Sequence, residues 1–347
     1  MKRKNPDSRP SPGFTLLELV VVLSILAVVT VLATRHLDQV IDQRHYEATQ
    51  HTMDEIEFAV LGSSEDRATD GTRSLGGFVA DMGRLPVTVS TVLAGTTKLT
   101  LSELWLNPNA GLPFDIRPAT ITYGVAAGDA DAQVLVPGGW RGPYLRLPTG
   151  AATLLDGWGN PMTSPTTASP VNPDTTGYAR LRDVNDNAIT AAGQEIRLVR
   201  HLGANGQFNT TDIGYDQDDY RAFTDDKFHA SLSGQVDVYK ADPTTGSLVA
   251  DTPDGVRVVV IRVFSPSPAN PAQISVISTG PITFSTNPVL YSIPLASGAT
   301  LGPRHVRAYL NPTSADFTTA TAVRHGTVVH ATLRPGSNSL NLTIDRP

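Results

Sequence analysis

Glu18 is the residue that asks most of its surroundings. It is the one charge in the apolar run GFTLLELVVVLSILAVVTVLA, from Gly13 to Ala33. A carboxylate in such a run is costly, roughly 2.5–3.5 kcal/mol at the centre of a membrane helix, and is usually paired. A second cluster is oxygen-rich: Asn205, Asp212, Asp216 and Asp218, beside Gly203 and Gly206. Calcium takes six to eight hard oxygens at about 2.3–2.6 Å, which this loop can supply, and the glycines permit the tight turn. A solvated acidic loop without an ion is the other reading.

Other chemistry is missing. There is no H-E-x-x-H, G-x-S-x-G, Walker or G-x-G-x-x-G pattern. With no cysteine, neither a disulfide framework nor a thiolate metal site is possible. The eight histidines are scattered, and His45 and His51 fall on different helix faces. His325 and His330, among strands and turns, read as surface residues and not as ligands. Asp183-Val184-Asn185-Asp186-Asn187 opens like an EF-hand loop. It has Ala188 at the sixth place and Gln194 at the twelfth, where glycine and glutamate are required, so it reads as a turn. No nucleophile stands with a base, and the expectation is a non-enzyme.

The elements that must position Glu18 come next. About 20 apolar residues span a bilayer core of roughly 30 Å, so 14–33 is long enough for a transmembrane helix. A secretory signal peptide is the alternative. Its apolar region is usually shorter and ends in a small-residue cleavage site, whereas Arg35, His36 and Asp38 follow here. Lys2, Arg3, Lys4 and Arg9 precede the run, then Ser11, Pro12 and Gly13; this basic leader places the N-terminus in the cytoplasm. Neither Gly nor Pro occurs from Phe14 to Leu61. Leu37, Val40, Ile41, Ala48, Met53, Ile56, Ala59 and Val60 form a stripe at helical spacing. One helix of about 70 Å at 1.5 Å per residue is expected over 14–61, stopping at Gly62-Ser63-Ser64.

The 347 residues call for two or more folded regions. Residues 62–228 form the first globular region, with a short helical or extended piece ending in a turn at 76–86 and a short helix candidate at 101–105. Residues 229–347 carry strand-like runs at Gln235–Tyr239, Val256–Phe264, Gln273–Ile277, Val289–Ile293, His305–Leu310, Thr327–Leu333 and Ser339–Ile344. Val256–Phe264, apolar on both faces, reads as a central strand, and Ser339–Ile344 as one alternating strand with Leu340, Leu342 and Ile344 inward. Seven short strands with Gly, Pro and Asn turns fit a β-sandwich. The expected fold class is α+β: a long N-terminal helix, half membrane-type and half amphipathic, packed on a small antiparallel sheet, then a C-terminal all-β sandwich. The formal charge is −6, and without the leader's net +3 it becomes −9. A mildly acidic chain with no basic patch argues against nucleic acid as a partner.

Gly13-Phe14-Thr15-Leu16-Leu17-Glu18 resembles the type III leader of type IV pilins and type II secretion pseudopilins. The resemblance implies that residues 1–13 are a leader, cut between Gly13 and Phe14 by a prepilin peptidase that methylates the Phe14 amine. It also implies that Glu18 meets the N-terminal amine of a neighbouring subunit. Many type IV pilins have a proline just past the membrane run; this chain has Arg35 there. Trp140–Pro148 followed by Asp156-Gly157-Trp158-Gly159-Asn160-Pro161 resembles the major pseudopilin of type II secretion, in which the tryptophan turn is structural. The segment from Leu202 to Asp219 resembles that family's calcium loop, with Asn205 where aspartate is usual. Gly234–Val238 and Gly302–Tyr309 are faintly similar to carboxypeptidase-regulatory-like modules. The implied protein is a structural subunit. It is anchored singly in the bacterial inner membrane with its globular part in the periplasm, and polymerises through its helix on an inner-membrane assembly platform. The alternative is a minor pilin-like adhesin that displays its β-sandwich at a filament tip.

Overall fold

The computed structural model describes residues 15–62, 76–93, 95–108, 114–120, 133–166, 180–205, 214–217, 219–267, 274–311 and 324–345. Helix α1 (Leu16–Leu61) is unbroken, as expected from a stretch without Gly or Pro and with Arg35 in place of a proline. It stops at Gly62, whose φ of 81° favours glycine. Its second half follows the expected stripe: Met53, Ile56, Ala59 and Val60 are buried.

The next region is built from small pieces. Helix α2 (Phe78–Met82) is followed by β1 (Val89–Leu93) and β2 (Thr96–Thr100), then by a single 3-10 turn at Ser102–Leu104. After these come β3 (Asp115–Thr120), β4 (Gln133–Gly138), β5 (Ser164–Pro165), β6 (Leu181–Arg182), β7 (Leu198–His201) and β8 (Asp219–Ala222). They make three small antiparallel sheets, β1-β2-β5, β3-β4 and β6-β7-β8, where one had been expected.

After α3 (Asp225–Phe228) the chain is all β: β9 (Ala230–Ala241), β10 (Leu248–Ala250), β11 (Val258–Pro266), β12 (Ile274–Ser278), β13 (Ile282–Thr283) and β14 (Val289–Ile293). The remainder is β15 (Gly302–Asn311), β16 (Arg324–His325), β17 (Val329–Leu333), β18 (Gly336–Ser339) and β19 (Leu342–Ile344). One sheet centres on β9, flanked by β10, β14, β18 and β19; the other centres on β11 and β15. Leu232, Val236 and Val238 of β9 share a core with Val259, Ile261 and Val263 of β11, so the two sheets pack face to face. The reverse face of β11 and β15 is covered too: Val260, Phe264 and Tyr309 pack on Val134 and Val136 of β4. Burial on both faces is why this strand carries apolar residues on both faces.

Two expectations change here. The run Ser339–Ile344 is not one strand but two, β18 and β19, both parallel to β9. Between them the Leu340 carbonyl crosses Gly234 so closely that a Cβ there would lie 2.0 Å away, and it accepts the Tyr291 hydroxyl at 2.7 Å. His325 is not on the surface; it is buried beneath Arg307, whose Nε donates to the Gly326 carbonyl at 2.8 Å. His330 is exposed as expected, and stacks edge-on against buried His305 at 4.0 Å.

The core is also continuous across residue 228. A single apolar cluster runs from Met53 on α1 through Phe78 and Leu104 to Val306 and Ile344. At the seam, Gly302 has φ 110°, and a Cβ there would sit 2.8 Å from the Ala80 backbone. Arg304 is fully buried beside it. Its guanidinium donates to the carbonyls of Ala80 (3.0 Å), Pro303 (2.8 Å), Thr300 (3.1 Å) and Leu301, and to the Thr300 hydroxyl (2.9 Å). Burial lowers its pKa and Asp81 opposes the shift; the ring of acceptors keeps the cation charged. The residue thereby ties the carbonyl end of α2 to β15.

Candidate functional site

Gly13 and Phe14 lie outside the described residues. Thr15 is the N-cap of α1, and with Glu18 it closes a capping box. The Thr15 N–H and hydroxyl donate to Glu18 Oε2 at 2.9 and 3.0 Å, and the Glu18 N–H donates to Thr15 Oγ1 at 3.3 Å. Glu18 is thus held at the start of the helix by its own turn, with its carboxylate exposed.

Above it, every large apolar side chain from Leu16 to Leu32 is exposed, from 82% at Leu16 to 47% at Val22. The two polar residues within this run turn inward on the backbone: the Ser24 hydroxyl donates to the Val21 carbonyl at 2.8 Å, and Thr30 to the Leu26 carbonyl at 2.7 Å. Such back-bonding satisfies hydroxyls without water, which an apolar environment requires. Leu37, Val40 and Ile41 continue the exposed face. Among the described residues no helix is long and apolar enough to cross a membrane.

The second half of α1 is fixed to the globular part by a turn. The Gly157 N–H donates to Thr49 Oγ1 at 2.8 Å, and a Cβ on Gly157 would lie 1.9 Å from the His45 carbonyl oxygen. Only glycine lets the turn approach the helix this closely. Trp158 then lays its ring beside His45 at 6.1 Å and stacks on His201 at 5.9 Å. Buried Asp156 holds the turn closed. It accepts from the N–H groups of Trp158 (3.0 Å) and Asn160 (2.7 Å), from Asn160 Nδ2 (3.2 Å) and from Arg180 Nη1 (2.7 Å). The tryptophan turn is therefore structural, as its residue types indicated. The role of Asp156 depends on Arg180, 24 residues later, and could not be read locally. Beside it, Arg221 donates to Asp54 at 2.7 Å and Lys227 to Glu57 at 2.8 Å, pinning the polar edge of α1.

Of the oxygen-rich loop, only the base is described. The Gly203 N–H donates to His201 Nδ1 at 3.0 Å, and the Ala204 N–H to the Tyr215 carbonyl at 2.8 Å, so the loop closes on itself. Asn205 is exposed; Asp212, Asp218 and the side chain of Asp216 lie outside the described residues. No group of three metal-ligating side chains occurs among the described residues. His201 is fully buried, and burial lowers its pKa against the pull of Asp219. Asp183–Asn187 is a turn. Its Asp183 carboxylate accepts from the N–H groups of Asn185 and Asn187, both at 2.8 Å, and so fills its own centre.

Residues 9–34 match the family model for the prokaryotic N-terminal methylation motif, the hallmark of type IV pilins and pseudopilins. No curated protein and no solved structure matches the chain. The matched residues include Gly13, Phe14, Glu18 and the exposed apolar side chains of α1 as far as Leu32. It points to a structural subunit processed by prepilin peptidase and assembled with other pilin-type subunits.

Proposed function

We propose that the chain is a pilin-like subunit that polymerises through α1 into a type II secretion pseudopilus or a type IV pilus-like filament. The carrying observation is a coincidence: the methylation motif overlies a helix whose apolar side chains, Leu16 to Leu32, are all exposed. Leaving that much apolar surface in water is expensive, so it requires lipid before assembly and other helices after it. The reading includes cleavage after Gly13, N-methylation of Phe14, and a single-pass inner-membrane anchor with the globular part in the periplasm. Glu18 carries the assembly contact. It accepts from Thr15 within the subunit and exchanges that contact for a neighbour's N-terminal ammonium, which neutralises it more fully in an apolar filament core.

The test is Glu18→Ala. Losing a charge makes membrane insertion no harder, so the membrane fraction should hold its protein while sheared-filament yield falls. Normal filament yield from this variant refutes the assembly role. Intact-mass measurement checks processing: a mature N-terminus at methylated Phe14 supports the reading, and one at Met1 or beyond Ala33 sinks it. The second reading, a minor adhesin-like subunit, draws on the two large sheets carried after residue 229. One or a few copies per filament would select it over a subunit repeated along the length.

A further inference from the structure

A pocket of about 280 Å³ opens beside the tryptophan turn, lined by Lys98, Asn160, Pro161, Thr163, Pro165, Arg180 and Asn205. Its polar side chains come from separate parts of the chain. β2 brings Lys98, the turn brings Asn160, and β5 with its approach brings Thr163. Arg180 stands immediately before β6, with its side chain only 5% exposed.

The charges do not balance. Arg180 spends one nitrogen, Nη1, on Asp156 and Met162; its other nitrogens are neither buried without a partner nor bonded elsewhere, which leaves them at the pocket. Asp156 is already saturated by four donors and has nothing left to offer Lys98. Lys98 itself has no ion pair among the described residues. In an acidic chain, this is a concave site with an uncompensated ammonium and the free edge of a guanidinium. Two further donors nearby lack acceptors: Trp158 Nε1, two residues before Asn160, and Nε2 of His201, which stacks on Trp158. Among the described residues of this corner, donors therefore outnumber acceptors.

We propose that this pocket is an oxyanion site, in which Lys98 and Arg180 hold a ligand bearing at least two oxygens. Phosphate fits this chemistry, and so does the carboxylate of an acidic side chain from a second copy. A guanidinium edge and an ammonium give short, charge-assisted hydrogen bonds to either. The Thr163 hydroxyl can complete its shell.

The full chain in detergent micelles is titrated with inorganic phosphate, at an ionic strength held constant with chloride. Phosphorus NMR line width and Tm are followed. Saturable broadening and a rising Tm are expected, with acetate competing. Lys98→Gln should bind phosphate about tenfold more weakly, the loss of one charge-assisted hydrogen bond, and should keep its phosphate-free Tm because the Lys98 ammonium makes no hydrogen bond or ion pair among the described residues. Carbodiimide coupling of the concentrated chain separates the two sources. An amide from Lys98 to a carboxylate of another copy identifies the side-chain ligand; phosphate binding without that crosslink identifies a free anion. Phosphate binding that is absent, or unchanged in Lys98→Gln, overturns the proposal if no intermolecular Lys98 crosslink forms.

Discussion

Replacing Asp156 tests how the long helix is held to the rest of the molecule. Its carboxylate accepts four hydrogen bonds and is the counter-charge to Arg180, whose side chain is 5% exposed while that of Asp156 is fully buried. Asp156→Ala leaves Arg180 charged and unpaired and orphans two backbone donors. Removing one partner of a buried ion pair costs about 3–5 kcal/mol. Against a total stability of roughly 5–15 kcal/mol this is a large fraction. Asp156→Asn keeps one acceptor oxygen but turns an amide toward the guanidinium, so a smaller loss of about 2 kcal/mol is expected. The assay is urea unfolding of the full chain in non-ionic micelles, followed by tryptophan fluorescence. Trp158 lies in the affected turn and reports it directly. A cycle with Arg180→Met should show coupling, the double variant losing less than the sum of the singles by about 1–3 kcal/mol. A loss below about 1 kcal/mol for Asp156→Ala, or additivity within about 0.5 kcal/mol, would show that the pair does not hold the turn.

Three further outcomes follow from other sites. Stability should fall as pH drops from about 6.5 to about 4. Burial, His330 and Arg304 hold His305 down at about 4, so the unfolded chain takes up the proton first; His305→Phe should flatten this slope in a pH-resolved melting series. A second decline belongs to Asp251. Burial alone would raise its pKa, but hydrogen bonds from Arg257 and Arg324 outweigh this and hold it at about 2, so its stabilisation is present above about 3.9 and lost toward pH 2; Asp251→Asn should remove that step. Calcium at the proposed loop should raise Tm over a chelator control, by about 2.7 kcal/mol of stabilisation at a hundredfold excess over Kd. Asp212→Ala should erase the difference and Asn205→Asp should enlarge it, and identical melts with and without calcium would leave the loop a solvated turn.

What depends on neighbours along the chain was readable from the sequence. Helix α1 was expected to end near Leu61, and it does, because an apolar stripe without Gly or Pro and a glycine stop are local signals. The same holds for Val289–Ile293, whose bounds match, and for the Asp183 turn, which is closed by its own side chains. The N-terminal methylation motif was recognisable because it is a short contiguous stretch, matched over residues 9–34. Tertiary structure decided everything that rests on distant partners. Ser339–Ile344 alternates as a strand should, but the crossing at Gly234 breaks it in two. His325 looked like a surface residue because no local pattern announces Arg307 above it. The core that joins residues before and after 228, and the pairing of Asp156 with Arg180, arise only when the folded chain brings separate segments together. Periodicity reports which face of an element is apolar; it carries no information about which other element covers that face, and buried charges take their partners from that covering element.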